Sequence, residues 1–112
     1  MKTDIYILQV NHFVKFNGVY FAKSSGTESL SLHPSIERAL DYKNEKAEVL
    51  KAKNYHIVSS GCGEDDPSLC FWSRYEDDQD RVVAFKIIKK TVEGDLFQYE
   101  KYGLCYTPHS GV

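Results

Sequence analysis

Apolar and polar residues alternate loosely from Ile5 to Val10, and Phe13-Val14-Lys15-Phe16 carries the pattern on, as a half-buried strand does. Asn17-Gly18 follows and leads into Val19-Tyr20-Phe21. Asn-Gly between two β-prone runs predicts a hairpin turn. A type I′ turn holds both central residues at positive φ, which Asn and Gly tolerate best. The expected strands are 4–16 and 18–23, with a break near Asn11-His12.

Ser24-Ser25-Gly26-Thr27 reads as a loop and Leu30-Ser31-Leu32 as a third short strand. Pro34 suits the first turn of a helix, since its missing N–H has no intrahelical partner there. Ser35 to Leu40 continues as a short helical turn, with Ile36, Ala39 and Leu40 on one side. Asn44 is a good N-cap for a second helix from Glu45 to Lys53, and Asn54 is a plausible stop. Tyr55-His56-Ile57-Val58 reads as a strand. Arg81 to Lys90 is the clearest strand of the chain. Glu93-Gly94-Asp95 then turns it into Leu96-Phe97-Gln98-Tyr99 as a second hairpin, and Leu104-Cys105-Tyr106 adds a last short strand.

Between these lies Gly61 to Asp80, a connection longer than is usual in compact domains, which marks it as functional or disordered. Leu69, Phe71, Trp72 and Tyr75 within it argue against disorder. Strands, a helical middle and strands again predict an α+β fold. The expectation is a small antiparallel sheet of two hairpins, with one or two short helices on one face. At 112 residues, one domain spanning 1–112 is expected.

Charge sharpens the picture. The net charge of −2 excludes nothing by itself, but its distribution is uneven. Residues 1–60 carry 8 basic and 6 acidic side chains, and residues 81–112 carry 5 and 3. Residues 61–80 carry Arg74 alone against Glu64, Asp65, Asp66, Glu76, Asp77, Asp78 and Asp80. The acids form two groups that bracket Phe71, Trp72 and Tyr75. An aromatic centre with a charged rim is the composition of a protein interface. Its partner would present a Lys/Arg-rich surface, as nucleic-acid-binding proteins do. A solvated loop is the bland alternative.

Catalytic and cofactor chemistry finds no motif. Cys62 and Cys70, with Cys105 and His109, supply four soft ligands, but neither pair has Cys-x-x-Cys spacing, so no metal is expected. The odd count of three cysteines is read as reduced thiols. Cys62, in Ser60-Gly61-Cys62-Gly63, has no base or orienting group signalled near it in sequence, although His12, His33 and His56 exist. Gly61-Cys62-Gly63 lacks the third glycine and the basic residue of a phosphate loop. The acids lack the spacing of a calcium loop. No run of about 20 apolar residues would span a bilayer, and no secretory signal is apparent, so a cytoplasmic, non-enzymatic protein without cofactor is expected. Lys86, Lys89 and Lys90 with Phe85, and Lys43, Lys46, Lys51 and Lys53 around the helix, make only a weak nucleic-acid footprint at an isoelectric point near 6.1.

Residues 5–58 resemble small accessory proteins of phages and mobile elements of Gram-positive bacteria. The resemblance lies in Phe13-Val14-Lys15-Phe16, Leu30-Ser31-Leu32, Ile36-Glu37-Arg38-Ala39-Leu40-Asp41-Tyr42 and Asn44-Glu45-Lys46-Ala47-Glu48-Val49-Leu50. Some such proteins block host defence nucleases, as anti-CRISPR proteins do. The resemblance implies a non-enzymatic inhibitor that binds a basic surface of a host protein, most specifically a CRISPR nuclease of the Cas9 type. A small DNA- or repressor-binding regulator is the alternative.

Overall fold

The computed structural model describes residues 2–22 and 29–93. In chain order these form β1 (Lys2–Phe16), β2 (Val19–Ala22), β3 (Ser29–His33), α1 (Ile36–Ala52), β4 (His56–Gly61), β5 (Leu69–Glu76) and β6 (Arg81–Glu93). The six strands make one antiparallel sheet in the order β2-β1-β6-β5-β4, so the fold is α+β. β3 also pairs with β1, further along the edge that β2 occupies: β2 lies against Phe13–Phe16 and β3 against Tyr6–Val10. The other edge of β1 is matched to β6 from Lys2 to Val14.

That long match removes the expected break at Asn11-His12. Both residues pair with β6, opposite Ala84 and Val83. The first hairpin turns at Asn17-Gly18, with φ of 51° and 77°, as a type I′ turn requires. The second expected hairpin, at Glu93-Gly94-Asp95, and the strand at Leu104-Cys105-Tyr106 lie outside the described residues.

Two expected helices are one. Ser35 is the N-cap, and its Oγ accepts the Arg38 N–H at 3.2 Å. Asn44 is an exposed interior position rather than a cap. An interior Asn costs only about 0.6 kcal/mol relative to Ala. Continuing the helix through Asp41-Tyr42-Lys43 buries Tyr42, which outweighs that cost. Asn54 does end the helix. Its φ is 69°, its N–H donates to Lys51 C=O, and the Tyr55 N–H donates to Leu50 C=O, the paired bonds of a Schellman turn.

Period-two alternation divides the sheet into two faces. Leu8 and Val10 of β1, Val83, Phe85 and Ile87 of β6, and Tyr75 of β5 pack with Ala39, Tyr42, Ala47 and Leu50 of α1 as the core. Lys43 and Lys46 lie on the buried side of α1, their ammonium groups 4.6 Å from the ring centroids of Phe71 and Tyr42. Long apolar stems and an aromatic ring under the charge allow a lysine in such a place. Burial lowers the Lys43 pKa. No helix among the described residues is long and apolar enough to cross a membrane.

The opposite face of the sheet carries Ile7, Gln9 and Phe13 of β1, Ala84, Lys86 and Ile88 of β6, and Trp72, Arg74 and Glu76 of β5.

Candidate partner-binding site

The stretch from Gly61 to Asp80 is not one long loop. Leu69–Glu76 is a strand paired on both sides, to β4 and to β6. Its residues alternate between the two faces, which is the pattern that the loop reading passed over. Eight residues span about 26 Å, so the two acidic groups sit at opposite ends of β5.

The same alternation separates the aromatics. Phe71 and Tyr75 face the helix. Tyr75 is 4% exposed and meets Phe85 edge-to-face at 5.7 Å, so it belongs to the core and not to a binding surface. Phe71 is partly buried under Lys43. Trp72 is partly exposed on the opposite face, cross-strand from Lys86 on β6 and Gly61 on β4. Its indole lies on Gly61: a Cβ there would come within 3.1 Å of the ring. Glycine at this position lets the large ring lie down against the sheet.

Beside Trp72, a polar clamp crosses the sheet. The Arg74 guanidinium stacks 4.6 Å from the Tyr20 ring centroid and donates to Tyr20 Oη at 3.4 Å. Tyr20 Oη donates to Glu76 Oε2 at 3.1 Å, and Lys15 Nζ pairs with Glu76 Oε1 at 3.3 Å. The carboxylate of Glu76 raises the Lys15 pKa. The clamp ties β2 and β1 to β5 across the row that holds Val82, which is 1% exposed. Glu76 is therefore a structural acid.

Asp77 is another, its side chain only 3% exposed. Oδ1 accepts the N–H groups of Gln79 and Arg81 at 2.9 Å each, and Oδ2 accepts Arg81 Nε at 2.6 Å. Burial opposes its charge, but the Arg81 and Gln79 donors outweigh it and hold Asp77 below the ordinary carboxylate range. The turn they close places Asp80 at φ 59°, where its C=O accepts the Lys15 N–H at 2.8 Å. The side chains of Asp78 and Asp80 remain exposed.

At the other end of β5, Glu64, Asp65 and Asp66 are all exposed. Asp66 Oδ1 accepts the Ser68 hydroxyl at 2.6 Å and its N–H at 3.0 Å, which lowers the Asp66 pKa. Gly63 N–H donates to Leu69 C=O, and Leu69 N–H to Asp66 C=O. The connection is so tight that a Cβ on Gly63 would stand 2.7 Å from the Asp66 carbonyl oxygen. Gly61-Cys62-Gly63 thus serves packing and turning.

Cys62 is exposed, and Cys70 donates to Ser68 C=O at 3.7 Å. Cys105 and His109 lie outside the described residues. Among the described residues no three His, Cys, Asp or Glu side chains are grouped to hold a metal ion.

Of the ten residues singled out in the sequence, Trp72, Glu64, Asp65, Asp66, Asp78 and Asp80 present polar or aromatic surface. Tyr75 and Asp77 are buried, Phe71 faces the helix, and Glu76 is held in the clamp. Sequence reading missed Arg74, Lys86 and Gly61 as neighbours of Trp72, which strand alternation and pairing with β4 and β6 bring to it. No protein-family model, curated protein or solved structure matches the chain.

Proposed function

We propose that the protein acts without catalysis, by seating the Trp72 face of the sheet against a Lys/Arg-rich surface of a host protein. In its most specific form the partner is a CRISPR nuclease of the Cas9 type, and the protein a phage-type inhibitor working in the host cytoplasm. The observation that carries the reading is the position of Trp72, partly exposed at mid-strand with exposed acids beyond both ends of the same strand. An aromatic anchor concentrates binding energy, and peripheral acids speed the encounter with a positive partner.

Arg74 and Lys86 beside Trp72 favour a second reading, a nucleic-acid binder, because an aromatic flanked by cations is a stacking platform for bases. One comparison separates the two. The tagged protein is used to capture partners from host extract, and is also titrated against single- and double-stranded DNA. The first reading expects a stable protein complex, lost on Trp72→Ala and weakened by Asp78→Asn with Asp80→Asn, and no retardation of DNA. It fails if DNA is bound with steep salt dependence, or if the complex ignores all three changes.

A further inference from the structure

β4 and β5 meet irregularly at the end that carries the acidic connection. Gly61 pairs with Trp72, and the Gly63 N–H donates to Leu69 C=O at 3.0 Å. Between those two links one side has a single residue, Cys62, and the other has two, Cys70 and Phe71. The same extra residue shows on the other edge of β5, where the step from Ile88 to Ile87 of β6 faces the longer step from Leu69 to Phe71. This is a β-bulge, in which two residues of one strand oppose a single residue of its neighbour. Cys62 is that single residue, and Cys70 is one of the two.

A bulge also redirects side chains. Cys70 and Phe71 both pack against the core on the helix side, which regular alternation forbids for adjacent residues. Cys62 follows Gly61, whose missing Cβ would meet the Trp72 ring on the opposite face, so alternation turns Cys62 to the helix side as well. The two cysteines thus share one face on adjacent strands. Opposed residues of an antiparallel pair have Cα atoms about 4.5–5.5 Å apart, within the span of about 4.4–6.8 Å that a disulfide bridges. Both thiols are free. Cys62 is exposed, and Cys70 is half-buried, donating to Ser68 C=O at 3.7 Å.

We propose that Cys62 and Cys70 form a redox modification site, which closes to an intramolecular disulfide when a small-molecule disulfide such as oxidised glutathione acts as the oxidant. Cys62, the exposed thiol, reacts first. Its thiolate attacks one sulfur of oxidised glutathione, breaks that S–S bond and releases one glutathione thiolate. The Cys70 thiolate then attacks Cys62 Sγ and displaces the second glutathione. Two protein thiols are oxidised, one glutathione disulfide is reduced to two thiols, and the two protons lost by the cysteines pass to them. The ring so closed spans residues 62–70 and holds Glu64, Asp65 and Asp66, so oxidation restrains the acidic connection beside Trp72. This chemistry is independent of what the Trp72 face binds.

The test equilibrates the full chain with glutathione buffers of graded ratio, then blocks the remaining thiols at low pH and maps the peptides by mass without reduction. The expected product is a monomer in which Cys62 is joined to Cys70. Because the fold holds the two residues opposite each other, the equilibrium constant for closure should be at least about tenfold larger in buffer than in concentrated urea. Cys70→Ser should stop at a glutathione adduct on Cys62, and Cys62→Ser should form no bridge from Cys70. Far-ultraviolet circular dichroism identifies a variant that fails to fold, and the other variant then decides alongside the parent. A parent chain that keeps both thiols, or stops at the Cys62 adduct, overturns the proposal. So does a bridge from either cysteine to Cys105 or to a second chain in place of the 62–70 bond, or closure no more favourable in buffer than in urea.

Discussion

The two ends of β5 carry similar sequences of acids and use them differently. Beyond Glu76, the turn to β6 draws Asp77 inward, where two backbone N–H groups and the Arg81 guanidinium converge on one carboxylate. Before Leu69, the connection from β4 leaves Glu64 and Asp65 in solvent and uses the Asp66 carboxylate to bind Ser68. Like charges close in sequence repel, so a cluster persists where donors or water neutralise it. In the turn it is donors, and in the connection mostly water. A carboxylate's role here is set by the N–H groups aimed at it and not by the density of acids around it.

The largest effect should come from the connection, through its backbone rather than its acids. Gly63→Ala sets a Cβ against the Asp66 carbonyl oxygen and the Leu69 Cβ, at 2.7 and 2.9 Å. Backbone on one side cannot move aside as a side chain can. A loss of about 2–3 kcal/mol is expected, read as a fall in melting temperature of roughly 10 °C. An unchanged melting curve would show that the connection adopts another conformation.

Asp77→Ala comes next, at about 2 kcal/mol, since it strips the turn of its common acceptor. Asp66→Ala, with its carboxylate in solvent, should cost clearly less. Equal losses in the two variants would erase the contrast between the ends. pH offers a sharper form of the same test. The folded pKa of Asp77 is depressed, so its contribution is present above the unfolded value and is lost as pH falls through the folded one. Stability should decline below about pH 4, and Asp77→Asn should flatten that decline. Chemical denaturation at a series of acid pH values measures both.

Gly61→Ala should cost about 1 kcal/mol or less, because the atoms it meets belong to the Trp72 ring, at 3.1–3.2 Å, and a side chain can yield. Trp72 is the one tryptophan of the chain, so its emission should report the displacement as a red shift. An emission spectrum like that of the parent would place the ring away from Gly61.

The smallest effect belongs to Asp78→Asn with Asp80→Asn, within about 0.5 kcal/mol. Asn tolerates the positive φ of position 80 as well as Asp does. This pair tests the binding surface without disturbing the turn. Adding an Asp77 substitution would confound the two, because the buried Asp77 carboxylate pairs with Arg81 and holds the turn.

Local chemistry alone determined several elements of this protein. The Asn17-Gly18 turn, the strands on either side of it and at Arg81–Lys90, and the helix stop at Asn54 follow from φ preferences and alternation that act within a few residues. The tertiary structure decided what those preferences left open. Asn11-His12 continues a strand because β6 pairs through it, and Asn44 continues a helix because Tyr42 is buried against the sheet. Leu69–Glu76 has the alternation of a strand within a run of acids, and becomes one because β4 and β6 satisfy its backbone on both sides. Whether a given acid is structural or free depends on donors that the fold delivers, as Arg81 and Gln79 do for Asp77 and Tyr20 and Lys15 do for Glu76. Tyr20 and Glu76 are 56 residues apart in the chain, and pairing across β1 and β6 alone brings them together.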